Sequence, residues 1–333
     1  MNRPDRAALN PAGFHRRIPL QPHQMLERLT PTQDVIVLCH LGVPRIAPDA
    51  WSLSIEGLVE RPATLRYDAL LRYPRHTVTT VHQCAGSPLA PREPTRRVAN
   101  VAWGGARLRD VLDDCGVHPQ AKFVWSSGLD HGRFDQVEVE AYTKDLPIAR
   151  VGADVLLAYE LNGAPLPAEN GFPVRLLVPG FYGTNSVKWL SRISLQATRA
   201  PGPFTTRYYN DPILDAAGRD TLRTQPVWAI APESIIVAPA PGSTIACGAP
   251  AEIWGWSWAD AGVGSVDVFA GNEALPTALE ARVDRAWQRF NAVWRPQCRG
   301  EVTLSSIAVA SDGAVQPREG YRNAAHRVAV TVV

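Results

Sequence analysis

The chain has 333 residues, 45% of them hydrophobic and 20% charged, with a formal net charge of +2. That length accommodates about two domains of ~150 residues with sizeable cores, and the near balance of charge argues against a nucleic-acid or membrane-surface binder. The five cysteines, an odd number with no CxxC or CxxCH spacing, argue against a disulfide framework, a zinc ribbon or covalently attached haem, and point to a reducing, cytoplasmic setting.

Residues 1–30 are rich in Pro, Arg and Gln and read as an arm over a domain surface, with one short helix expected at 24–29. Arg16-Arg17 resembles the start of an export signal, but Ile18-Pro19-Leu20-Gln21-Pro22 follows and supplies no apolar core for one. Nowhere does an apolar run reach the ~18 residues that a membrane span needs. The apolar run from Asp34 to His40 reads as a strand, and Trp51 to Gly57 alternates as a half-buried strand does. A short helix is expected from Tyr67 to Arg72.

The β-branched run from Thr77 to Val81 then delivers Cys84 into His82-Gln83-Cys84-Ala85-Gly86-Ser87, where small residues let a large group approach the backbone. A cysteine at a strand end is either a soft nucleophile or metal ligand, or a buried thiol filling a gap. The Pro- and Arg-rich stretch from Ser87 to Val101 reads as a long ordered loop, the kind that is commonly functional. Trp103-Gly104-Gly105 is expected to open a helix from Ala106 to Cys115, whose Leu108, Val111, Leu112 and Cys115 recur at helical spacing with Gly116 as its cap.

Lys122 to Ser126 reads as a strand leading into Gly128-Leu129-Asp130-His131-Gly132. Asn162-Gly163 between Asp154–Leu161 and Ala164–Leu166 is a strong hairpin signal. Strands are expected at Pro173–Val178 and Val187–Leu195, separated by Pro179–Ser186. That loop is either a nest of amides and hydroxyls for an anionic ligand, flanked by Arg175 and Lys188, or a polar hairpin with two solvated charges. Beyond a Pro- and Ala-punctuated boundary near 225, short alternating strands at 251–258, 265–270, 302–310 and 326–332 read as an immunoglobulin-like β-sandwich. The expected architecture is α+β: an arm at 1–30, a strand-rich mixed domain at 31–225 and the sandwich at 226–333.

From about Thr30 onward the chain resembles the sulfite oxidase family of molybdenum enzymes. HQCAGS resembles the segment whose cysteine ligates molybdenum, WGGARLRDVL the tryptophan and helix that follow, and GFPVRLLVPGFYGTNSVKWL the pterin-binding signature. The resemblance implies one molybdopterin with molybdenum per chain, with Cys84 as the metal thiolate. It implies that His40, Asp130, Asn170, Arg175, Ser186, Val187 and Lys188 bind the pterin, and that Trp103 and Tyr209 line the substrate pocket. The sandwich corresponds to the family's dimerisation domain, so a homodimer is expected, and with no cytochrome domain in view electrons would pass to an external acceptor.

The departures from the family pattern are equally specific. Leu38-Cys39 stands where Arg-Asn is usual before the histidine, Ser87-Pro88-Leu89 where the cysteine segment usually runs into arginine, and Asn170 where a histidine is usual. Two substrate-binding cations are missing, and Arg207, Arg92, Arg96 and Arg97 are the candidates to replace them. If none faces the pocket, sulfite is expected to be turned over poorly and a neutral organic sulfur or nitrogen compound fits better. Three other readings stay open: a pterin-binding protein without turnover, a hydrolase with Cys84 activated by His82, His40 or His131, and a zinc site from Cys39, His40 and His82.

Overall fold

The computed structural model describes residues 8–17, 20–87, 95–215, 217–319 and 322–333. The chain divides into two compact units that each draw on separate stretches of sequence. The first comprises Ile36–Val78 and Ala102–Trp228 together with the first described strands. The second comprises Thr79–Val101 and Ala229–Val333 together with 20–35. The second unit's long segment begins at Ala229, and that unit also takes in two earlier stretches.

In the first unit a five-stranded sheet runs in the order Thr143–Pro147, Phe123–Gly128, Leu190–Gln196, Ser52–Gly57 and Ala63–Arg66. Its inward faces pack Leu53, Ile55, Val124, Leu146, Ile193 and Leu195 into one apolar core with the helix Leu108–Cys115, which contributes Leu108, Val111, Leu112 and Cys115 as its spacing predicts. A second sheet pairs Leu156–Leu161 with Ala164–Pro165, with Val98–Arg107 and with Arg175–Leu177. The Asn162-Gly163 turn forms with both residues at positive φ, 50° and 79°, as a two-residue hairpin turn requires.

Several expectations are corrected. Trp103-Gly104-Gly105 does not open the helix but lies inside the strand Val98–Arg107, because Gly105 lies against the Leu157 and Ala158 backbone, where a Cβ would sit 2.3 Å from the Leu157 carbonyl oxygen. The stretch 24–29 is not a helix: a 3-10 turn covers Pro22–Gln24 and ends there. The helix after Arg66 is only Tyr67–Leu70. The arm is strand-bound rather than laid over a surface, since Ala8–Ala12 pairs with Gly42–Arg45 and His15–Arg17 with Val37–Cys39.

The second unit holds two sheets. One orders Glu233–Ala238, Ala251–Trp258, Gln288–Trp294 and Thr277–Leu279. The other orders Thr244–Ile245, Arg327–Val332, Gly300–Ala310, Val263–Ala270 and Glu273–Leu275. Ile236, Ile253 and Phe290 from the first meet Val266, Leu304, Ala308 and Val328 from the second in a single core, so alternation along each strand sends one face inward.

Candidate active site

In the first unit the sequence candidates gather around Gly171. This glycine closes the turn Ala168–Asn170 at φ +110°, and a Cβ there would sit 3.1 Å from the Cβ atoms of both Arg175 and Lys188. Arg175 is buried, and its guanidinium donates to the Asn170 carbonyl at 3.0 Å and the Ser186 carbonyl at 2.7 Å while lying 4.9 Å over the Trp103 ring. Burial lowers its pKa to about 9, against the opposing pull of Cys39 and Tyr142. The Ser186 hydroxyl accepts from Val178 N at 3.0 Å, and the Val187 carbonyl accepts from Leu176 N at 2.8 Å. Both residues therefore shape the loop after Arg175.

Lys188 brings its ammonium to the Leu38 carbonyl at 3.0 Å, the Glu169 carbonyl at 2.9 Å and the Cys39 sulfur at 3.0 Å. Three acceptors use all three ammonium protons, so Lys188 offers a neighbouring anion its charge rather than a spare donor. Cys39, which the sequence presented as a departure from family pattern, is thereby a structural partner of the lysine.

Two of the buried oxygens that face no donor belong to sequence candidates. Asp130 Oδ1 and Asn170 Oδ1 lack a hydrogen-bond partner, and both residues are nearly fully buried. Burial pushes the Asp130 carboxyl up to about 7 although Lys188 opposes the shift. Buried acceptors without donors are costly in a chain that folds for its own sake, and they fit a site that receives donors from a polar ligand.

His40 sits among aromatic rings. Phe134, Tyr142, Phe204 and Tyr209 lie 5.0, 5.6, 5.6 and 6.0 Å from it, centroid to centroid. The Tyr209 hydroxyl lies 2.6 Å from His40 Nε2. Burial, and then the nearby Lys188, lower the His40 pKa to about 4, so the imidazole is neutral near pH 7. Tyr209 holds a left-handed φ of 58°, a conformation that a bulky residue adopts only under constraint from its surroundings. Trp103, expected to line a pocket, is fully buried with Arg175 over its face.

Cys84 belongs to the second unit. Its backbone amide donates to the Arg97 carbonyl at 2.9 Å, Gly86 N points at its sulfur at 3.4 Å, and the residue is half-buried. Ala85 O accepts from Arg322 Nε at 2.7 Å, Ser87 O accepts from Asn323 N at 3.2 Å, and the Ser87 hydroxyl accepts from Arg97 N at 2.9 Å. The thiol thus rests on a braced turn.

The candidate substrate cations separate. Arg96 is removed from consideration: it is buried, and its guanidinium is committed to Glu233 at 2.8 Å and the Ala324 carbonyl at 3.1 Å. Arg207 is exposed and paired with Asp135 at 3.2 Å. Arg97 is half-buried beside the Cys84 turn through its backbone, and Arg92 lies outside the described residues. Among the described residues no group of three His, Cys, Asp or Glu side chains could hold a metal, so Cys39, His40 and His82 form no zinc site. Sequence reasoning missed Lys144, Tyr142 and Phe204. The alternation Tyr142-Thr143-Lys144 was the available signal, since it puts the tyrosine and lysine on one face of a strand.

A buried guanidinium, a half-buried ammonium, a neutral histidine and donor-seeking acceptors together make a site suited to an anionic, polar ligand. The oxidoreductase molybdopterin binding domain family matches residues 40–204. Sulfite oxidase of Gallus gallus is 32% identical over 320 residues, 87% of this chain and 68% of that protein. Mitochondrial sulfite oxidase of Homo sapiens is 31% identical over 91% of this chain, which spans 62% of the relative's length. The rat enzyme is 30% identical, again with 62% of its length spanned. The sulfane dehydrogenase SoxCD from Paracoccus pantotrophus superposes with a TM-score of 0.76 at 27% identity, covering 91% of this chain and 80% of that one. The chain belongs to the sulfite oxidase family of molybdopterin oxidoreductases.

Proposed function

We propose that the chain is a molybdenum-dependent oxidoreductase that transfers an oxygen atom to a small sulfur compound, with sulfite to sulfate as the reference reaction and an external electron acceptor. The observation that carries this reading is the cluster around Gly171, where buried Arg175 and half-buried Lys188 stand beside two unsatisfied acceptors, Asp130 Oδ1 and Asn170 Oδ1. That donor and acceptor set fits a phosphate-bearing pterin with polar ring edges. When bound, the cofactor supplies a molybdenum centre able to cycle by two electrons and exchange an oxygen atom.

The chain's own residues have distinct tasks in this reading. Arg175 and Lys188 neutralise the phosphate, with Arg175 retaining guanidinium protons beyond its carbonyl bonds. Asp130 and Asn170 accept from the pterin's N–H groups, and Ser186 and Val187 hold the loop in shape. His40, neutral at pH 7, carries the Tyr209 hydroxyl on its Nε2. In the tautomer whose Nε2–H donates to the Tyr209 oxygen, the phenolic proton is left to bond an oxygen on the substrate. Cys84 is the protein thiolate for the metal, a soft donor suited to it. The stretch after about 225 serves as a homodimerisation domain.

Protein made in a host able to synthesise the pterin should contain about one molybdenum per chain and show a thiolate-to-metal absorption band that Cys84→Ala removes. Sulfite with an artificial acceptor should then be turned over. Zinc in place of molybdenum, or a loaded protein inert toward every sulfur compound tried, sinks the reading.

A further inference from the structure

The strand Thr143–Pro147 pairs with Phe123–Gly128 so that Lys144 lies directly opposite Ser126. Directly opposed residues leave a sheet on the same face, with Cβ atoms roughly 5 Å apart. Tyr142 and Gly128 share that face by the same alternation, and Tyr142 stacks on His40. The Lys144 ammonium is fully buried, donates to the Phe204 carbonyl at 2.8 Å, and lies 5.2 Å from the centroid of the Tyr209 ring. Ser126 Oγ is buried and has no hydrogen-bond partner. A buried ammonium with N–H capacity left over, beside a hydroxyl with none of its bonds made, is an arrangement that asks for an anionic acceptor.

The nearby carboxylate does not supply it. Asp145, the next residue, emerges on the opposite face and is held there by Arg199 at 2.7 and 3.0 Å and by Ala200 N at 3.2 Å. The elements packed on Lys144's face bring Ser126, the Phe204 ring and backbone, and Thr184. The groups there that can titrate are Tyr142, Tyr209 and His40.

We propose that Lys144 is a specificity-determining positioning residue: its charge, lying over Tyr209 and opposite Ser126, makes the Tyr209–His40 region select an oxyanion-ended sulfur substrate over a neutral one. The inference rests on the functional reading above and fixes its substrate class. A cation over a phenol face draws electron density from the ring and makes the hydroxyl a stronger donor to an anionic oxygen. Burial first, with Arg199 adding to it and Asp145 opposing, lowers the Lys144 pKa to about 8. The charge is therefore present at pH 7 and declines as pH rises through 8.

The test uses the holoenzyme, with sulfate as a probe that keeps its charge between pH 6.5 and 8.5 and needs no turnover. Calorimetric affinity for sulfate should weaken across that range in the parent protein. Lys144→Met should weaken it about tenfold or more at pH 7 and remove the pH dependence, with a matching rise in KM for sulfite and little change in kcat. Lys144→Arg should keep the affinity and hold it level with pH. Parent affinity that is flat across this range, or a folded Lys144→Met that binds sulfate as the parent does, overturns the inference. If the Met variant does not fold, the parent's pH dependence and its loss in Lys144→Arg still decide. A Lys144-dependent sulfate site in a protein that oxidises no sulfur compound would instead sink the functional reading, leaving Lys144 as an oxyanion-binding group whose substrate is not a sulfur compound.

Discussion

Asp130 shows how single atoms report a missing ligand. Its carboxyl, raised from 3.8 to about 7 by burial, keeps its proton in the folded state at pH values where the unfolded chain has lost it. A raised pKa contributes stability that is full below about 4 and is lost as pH rises through about 7. Cofactor-free protein should therefore lose melting temperature between pH 5 and 7.5, and Asp130→Asn should flatten that slope. A slope unchanged by the substitution would show that another group controls it. Arg175 and Lys188 stood out in the sequence because they flank one loop, Pro179–Ser186, whereas His40 and Asp130 were picked out only by the family resemblance. Lys144 did not stand out, because a lysine in Thr143-Lys144-Asp145 reads as a solvent-facing charge until the register places it opposite Ser126.

Among elements, the turn that presents Cys84 is the one whose support was hidden. Gln83 at the end of the strand Arg75–Gln83 hydrogen-bonds Glu233, whose other oxygen takes Arg96 at 2.8 Å, and Trp258 Nε1 donates to Gln83 Oε1 at 2.9 Å. Burial holds the Glu233 carboxyl up at about 7 despite Arg96 and Gln83. Removing one partner of a buried charge pair leaves the other uncompensated, at a cost of about 3 to 5 kcal/mol. Glu233→Ala should cost about that much in urea unfolding and also shift the thiolate-to-metal band of loaded protein, because the strand end next to Cys84 loses its anchor. Loss of stability with an unaltered band would confine Glu233 to folding. The strand and the small residues of this turn were readable from composition and β-branching. Glu233 and Arg322, well over a hundred residues away, carry no local signal of where they act.

For the whole molecule, the segment that carries Cys84 belongs with the carboxyl-terminal sheets, so a single cut does not separate one unit from the other. A fragment ending near Arg223 would leave 20–35 and 79–101 without the residues they pack with. We expect it to be aggregated or unfolded by sedimentation and circular dichroism, whereas the whole chain should sediment as a dimer. A soluble, cooperatively melting fragment would refute this. Alternation and turn spacing made the carboxyl-terminal strands legible, and the helix Leu108–Cys115 followed its apolar period. The interleaving was invisible, since periodicity describes faces of elements and says nothing about which distant stretch covers them.

The three protein acceptors around Lys188 bear on how the protein matures. A half-buried lysine left without acceptors would disfavour folding until its anion arrived. Here the Leu38 and Glu169 carbonyls and the Cys39 sulfur already surround the ammonium, and Arg175 has the Asn170 and Ser186 carbonyls. With both cations already satisfied by the chain's own groups, we expect cofactor-free protein to melt cooperatively on its own, and a cofactor-free chain without a cooperative transition would refute this.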